Sequence, residues 1–201
     1  MIRRICLLLL SLTFFCSCQT TNQNRGETNY ARPETTGAEK GHEQTRDTKM
    51  DIKVNSTAFQ EGGMISAKHT CDGANVSPPV EWSGIPANAK TIALIADDPD
   101  APGKTWVHWV VFDIPAGAKS LPENVLPQET IAGGGKQGTN DFRKVGYGGP
   151  CPPSGTHRYY FKVYALDTEL GLDSKTTKDP LLKAMEGHIL AQGQLMGRYK
   201  R

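Results

Sequence analysis

The chain lacks a strong charge of either sign. Lys and Arg number 23 and Asp and Glu 21, a formal net charge of +2 over 201 residues. Arg3 and Arg4 stand at the extreme N-terminus, so the rest is near neutral. There is no basic field for a phosphodiester backbone, and nucleic acid is not an expected partner. Long apolar runs are also missing. The longest candidate, Ile5 to Phe15, is too short for a comfortable membrane span. Spacings that hold metals are absent, with no H-x-x-x-H or H-x-E. Gly133-Gly134-Gly135-Lys136 lacks the Lys-Ser/Thr ending and the following helix of a phosphate-binding loop, and it reads as a flexible surface loop. Ser154 sits in Pro-Ser-Gly-Thr, which is not a nucleophile elbow. Cysteine is sparse. Of five, Cys6, Cys16 and Cys18 lie in the first residues, leaving Cys71 and Cys151.

The N-terminus has the pattern of an export signal over residues 1–18. Arg3-Arg4 form a positive region and Ile5 to Phe15 a short apolar one. Phe15-Cys16-Ser17-Cys18 resembles a bacterial lipoprotein box, with small Ser17 before Cys18 as the lipid-bearing residue. Bulky Phe15 makes Cys16 the weaker choice; the alternative is ordinary secretion. An acyl chain would hold the protein at the cell envelope without a spanning helix. Residues 19–50 contain no Leu, Ile, Val or Phe, and their charges balance. Such a segment cannot bury enough apolar surface to offset its ordering entropy, and it is expected to be a disordered tether. In an exported protein Cys71 and Cys151 could form a disulfide or remain two thiols; the sequence gives no Cα separation to decide.

Residues 51–201 read as one domain. Asp51 to Val54 alternates like a strand, and Ser77-Pro78-Pro79-Val80-Glu81-Trp82 reads as an edge strand or extended segment. Thr91 to Ala96 is continuously apolar, as in a strand buried on both faces. Trp106 to Ile114 is a strand whose period of two places Trp106, His108, Val110 and Phe112 on one face. His157 to Leu166 alternates clearly, with His157, Tyr159, Phe161, Val163 and Ala165 together. Asp179-Pro180 suggests a helix start, with Leu181, Leu182, Met185 and Ile189 as its stripe and Gly193 as its end. Leu195 to Tyr199 is a final strand candidate. With 21 glycines and 13 prolines, the expected class is mainly β: two packed, largely antiparallel sheets with one or two peripheral helices.

Two stretches carry chemistry. Ala96-Asp97-Asp98-Pro99-Asp100-Ala101-Pro102 drives a buried strand into acids that need partners, and Trp106-Val107-His108-Trp109 follows. Some forty residues later, Gly146 to Tyr159 combines glycines, prolines and His157. Glycine amides in succession can form an anion-binding concavity. Asp97 reads as a solvent-facing or strand-end residue, and Arg158 as structural, paired to an acid. Trp106 can floor a pocket; Trp109 belongs to the core. His188 reads as helix packing, and His42 and His69 carry no signal.

These stretches resemble the two signature regions of the phosphatidylethanolamine-binding protein family, also called the Raf kinase inhibitor protein family. The match rests on Asp98-Pro99-Asp100-Ala101-Pro102 with Trp106-x-His108-Trp109, and on Gly149-Pro150-Cys151-Pro152-Pro153-Ser154-Gly155-Thr156-His157-Arg158-Tyr159. Cys71 to Pro78 and Gly187 to Ala191 resemble its compact bacterial and archaeal branch. The resemblance implies a β-sandwich with a small pocket for phosphate, phosphorylated head groups or similar anions. Its positions here would be Asp98, Asp100, Trp106, His108, Gly149, Pro153, His157 and Tyr159. His108 and His157 would donate to anion oxygens, helped by the glycine-proline backbone, while Asp98 and Asp100 orient the imidazoles. Cys151 lies where many animal members carry glycine. The resemblance implies no metal, no cofactor is expected, and binding rather than catalysis is the expected activity, with a protein partner as a further expectation. The competing readings are a metal-assisted hydrolase built on the same Asp/His cluster, and an interaction lipoprotein whose pocket is vestigial.

Overall fold

The apolar run that begins at Thr91 forms the strand β4 (Thr91–Asp98), and all of its residues are buried. Cover on both faces explains why it shows no alternation. It belongs to a computed structural model that describes residues 50–201. The expected signal segment, Cys18 and the tether up to residue 49 lie outside the described residues.

On one side β4 pairs antiparallel with β5 (Trp106–Pro115), on the other with β8 (Thr156–Leu166). Beyond β8 runs β9 (Ile189–Lys200), and two short strands, β1 (Met50–Asp51) and β7 (Lys136–Gln137), close the outer edges. The order is β1-β9-β8-β4-β5-β7. A second sheet joins β2 (Lys53–Asn55), β3 (Val80–Ser83) and β6 (Ser120–Leu121) in the order β2-β3-β6. Among these pairings only β1 with β9 is parallel. The alternation on β8 sends Tyr159, Phe161, Val163 and Ala165 toward the small sheet, where they meet Val54, Phe59 and Trp82. On the opposite face, Ile95, Val110 and Phe112 bury against Leu181 and Met185 of the single described α-helix, α1 (Lys178–Met185). The domain is therefore mainly β, with two largely antiparallel sheets and one peripheral helix, as the composition suggested.

Four local expectations need correction. The strand expected over Asp51 to Val54 splits at Ile52, whose N–H donates to Gln192 O at 3.0 Å before the chain crosses to the other sheet. β3 is the middle strand of its sheet, not an edge; Pro78 and Pro79 precede it and cost it no ladder bond. The helix is capped at Thr177, so Asp179 and Pro180 lie inside its first turn. It also stops at Met185: Gly187 (φ +79°) turns the chain, and Ile189 opens β9 instead of extending the stripe. Finally, Gly133 to Gly135 do not form a free loop. Their positive φ values of 88°, 105° and 105° fold the chain back so that Lys136 and Gln137 pair with β5.

Candidate functional site

A defect in β5 builds the site. Trp109 stands opposite Ala96 and Val107 opposite Asp97, which leaves His108 as the extra residue of a β-bulge. Bulges re-aim side chains at sheet ends. The expected alternation on β5 fails here. Val107 joins Val110 and Phe112 in one core cluster, while Trp109 and Val111 enter the other. His108 is buried, with its ring edge-on to Tyr159 at 5.2 Å and to Phe142 at 5.4 Å between centroids.

Hydrogen bonds fix both imidazoles. His108 Nδ1 lies 2.6 Å from Gly148 O. A carbonyl can only accept, so Nδ1 carries the proton and Nε2 is the nitrogen left for a ligand. Burial pushes the His108 pKa below its usual value and favours the neutral ring, against the opposing pull of the Gly148 carbonyl and Asp98. His157 Nδ1 donates to Asp98 Oδ2 at 2.7 Å, again leaving Nε2. The second Asp98 oxygen accepts the Asp100 N–H at 2.8 Å. Asp98 thus orients a histidine.

Asp100 does not. Its oxygens take Nε and Nη2 of Arg158 at 2.9 and 2.6 Å, together with the Arg158 backbone N–H. This fork draws the Asp100 pKa down to about 2 and staples the β4–β5 turn to β8. Arg158 is therefore the acid-paired structural residue expected of it. Asp97 is the strand-end residue expected, next to last in β4, but it is buried rather than solvent-facing, between Lys162 Nζ at 2.8 Å and Lys178 Nζ at 2.5 Å.

Asp98, His108 and His157 form the polar side of a cavity of about 270 Å³. Ala101, Pro102, Trp106, Phe142, Pro152 and Pro153 give it an apolar side, and Cys151 completes the wall. Of the eight expected positions, Asp98, Trp106, His108, Pro153 and His157 line this space; Asp100, Gly149 and Tyr159 do not. Gly149 serves packing instead. A Cβ there would lie 2.5 Å from His69 O, and its N–H is spent on Asn75 Oδ1 at 2.7 Å. The Gly148 N–H is likewise spent on His108 O, so these glycine amides make no open anion nest. Tyr159 lies beneath His108. Its hydroxyl and Trp106 Nε1 are both buried without a hydrogen-bond partner among the described residues. Burial, and next the Asp98 carboxylate, raise the Tyr159 pKa and keep that hydroxyl protonated.

Cys71 and Cys151 form a disulfide with Cα atoms 5.4 Å apart. Some contributors gave no sequence signal. Phe142 reaches the rim because Asn140 Oδ1 accepts the N–H groups of Phe142 and Lys144 and folds a tight turn; an Asn-Asp pair between strands is the only cue. His69, expected to be silent, is buried with Nδ1 3.0 Å from Val76 O, and its carbonyl accepts the Tyr147 hydroxyl, so it braces the loop around Gly149. His188 is not helix packing; it lies past α1, half exposed, with Nδ1 2.8 Å from Asp167 Oδ1. A larger hollow of about 510 Å³ lies by Lys162, Tyr164, Gln192 and Gln194. It holds no imidazole, and its lysine is committed to Asp97, so the smaller cavity is where the reactive groups converge. Among the described residues, no group of three or more His, Cys, Asp or Glu could hold a metal ion.

Residues 55–200 match the family model of the phosphatidylethanolamine-binding protein. The chain belongs to the phosphatidylethanolamine-binding protein family. A UPF0098 protein of Methanothermobacter thermautotrophicus is 51% identical over 152 residues, covering 76% of this chain and 99% of the relative. A UPF0098 protein of Aquifex aeolicus is 47% identical over 75% of this chain and 89% of its own length. Among solved structures, a phosphatidylethanolamine-binding protein homologue from Chlamydia trachomatis superposes with a TM-score of 0.70 at 39% identity, over 75% of this chain and 98% of that one. Escherichia coli YbcL gives 0.69 at 34% identity, over 75% and 99%. This family member shares its fold with both.

Proposed function

We propose that this family member acts by binding rather than catalysis, holding a small anion such as phosphate or a phosphorylated head group between His108 and His157. The observation that carries the reading is the pair of imidazoles with both Nδ1 atoms already committed, so that two Nε2 atoms serve one cavity. Phosphatidylethanolamine, named in the family's description, carries such a phosphorylated head group. The cavity's apolar side suits the carbon skeleton of a head group, and its volume suits a small ligand. His108 is neutral until a ligand or an acidic solution supplies a proton. A bound anion makes that proton easier to hold. The test is thermal unfolding with millimolar phosphate or phosphoethanolamine. A ligand at one hundred times its Kd stabilises the fold by about 2.7 kcal/mol. The shift is expected in the parent protein and lost in His108→Ala and His157→Ala. Absence of any shift at millimolar ligand refutes the reading.

The proposal places the domain at the bacterial cell envelope through a lipid on Cys18, where it engages a protein partner. Support comes from Ser17-Cys18 after a short apolar segment. Among the described residues, no helix is long and apolar enough to cross a membrane. Cells fed a palmitate analogue should label the parent protein and not Cys18→Ala; label retained in that variant removes the anchor from the proposal.

A further inference from the structure

The cavity wall contains a reducible bond. Cys151 lines the cavity, and its sulfur is joined to Cys71, which lies in a different loop. Both cysteines are exposed residues, as are Asp72, Gly73 and Ala74 beside them. A thiol in solution can therefore approach the bond. Two weaker ties run parallel to it. The Cys71 N–H donates to Pro150 O at 3.1 Å, and the Gly149 N–H to Asn75 Oδ1 at 2.7 Å. These survive reduction, so the two loops stay together when the covalent tie is cut. What is released is Cys151 itself and, through the stiff Cys151-Pro152-Pro153 run, the wall that follows it.

We propose that the Cys71–Cys151 disulfide sets the anion affinity of the cavity, with the oxidised protein as the tight-binding form. The idea rests on the binding reading above. The step balances with an external dithiol. One thiolate attacks a disulfide sulfur and the other protein sulfur leaves as a thiolate. The second thiol of the reagent then resolves the mixed disulfide, so two electrons reduce the protein and the reagent becomes a disulfide. Arg201 bridges the two loops, with Nη1 3.6 Å from Cys151 Sγ and Nε 3.2 Å from Asp72. Reduction cuts the covalent tie and slackens the proline wall against which an anion must pack, and a less preorganised wall binds more weakly.

The experiment measures inorganic phosphate binding by calorimetry on the whole chain, oxidised and after treatment with dithiothreitol. Near-ultraviolet dichroism of the three tryptophans monitors packing throughout. The expected result is a folded reduced protein that binds phosphate about fivefold more weakly, with affinity restored on reoxidation; this corresponds to roughly 1 kcal/mol. Cys71→Ser/Cys151→Ser should hold the weak affinity and ignore the reagent. Binding and redox state must also be reciprocal, so saturating phosphate should make the bond harder to reduce by the same factor. Equal affinity in both states overturns the proposal. So does a reduced protein that loses its tryptophan dichroism, because the bond is then a structural staple. Phosphate that fails to bind even the oxidised form sinks the binding reading instead.

Discussion

The two histidine corners of the cavity look alike in the chain and differ in physics. At one corner, His157 Nδ1–H donates a hydrogen bond to the Asp98 carboxylate. At the other, His108 Nδ1–H donates to a neutral carbonyl, and the ring is buried deeply enough that its cationic form is disfavoured. The carboxylate fixes the tautomer and orientation of the His157 ring, whereas burial in the bulge disfavours charge on His108. The division of labour follows. In the proposed anion binding, the His157 corner would position the ligand and the His108 corner would set the proton condition for holding it.

Removing the carboxylate should break this contrast most severely. Asp98→Ala strips His157 of its acceptor and leaves the Asp100 N–H without one. Loss of the phosphate-induced thermal shift is expected, together with about 1–3 kcal/mol of stability from the stranded polar groups. A full ligand shift in this variant would mean that Asp98 orients nothing.

Acidification should sharpen the contrast, and in two opposite directions. Sulfate is the better probe, because its charge is constant across the range. Its affinity should rise as pH falls, by up to about tenfold per unit while His108 is mostly neutral, since one proton is taken up with the anion. Stability without ligand should move the other way. The folded pKa of His108 lies below its ordinary 6.5, so the unfolded chain gains the proton first. That contribution is whole above 6.5 and declines as pH falls through the folded value. Titration calorimetry and denaturant unfolding at matched pH values check both slopes. A sulfate affinity that is flat with pH would mean that His108 is not the proton acceptor.

The smallest effect belongs beneath the rings. Tyr159→Phe removes a buried hydroxyl that makes no well-formed hydrogen bond among the described residues, with the Asp98 carboxylate nearby. Stability without ligand should be unchanged or higher by up to about 1 kcal/mol, because nothing is left unpaired. A loss greater than that would reveal a partner for the hydroxyl.

Legibility in the sequence followed locality. β4 and β8 were plain because burial on two faces or on one writes itself directly into residue order. Asp98, His108 and His157 were legible as a joint pattern, Trp106 and Pro153 through the family resemblance of the two motifs, and all five line the cavity. The bulge at His108 was not, because one extra residue shows only against the partner strand. Gly149 suggested a backbone open to ligand, yet its missing Cβ makes room for His69 and Asn75, 80 and 74 residues away in the chain. Asp100 reads as a histidine partner in the sequence because Arg158 is expected to pair with an acid, but residue order does not say which acid. The end of α1 was misplaced because Ile189 satisfies a helical stripe and a strand equally well, and pairing with Leu166 decides for the strand.

The split at Ile52 also has a geographical consequence. Met50 joins the sheet beside Ala191, which is opposite Ala165, whereas His157 lies at the other end of the same strand β8. Eight residues of extended chain separate them, about 26 Å at the usual rise of a strand. The cavity and the entry of the N-terminal chain therefore occupy opposite poles of the domain.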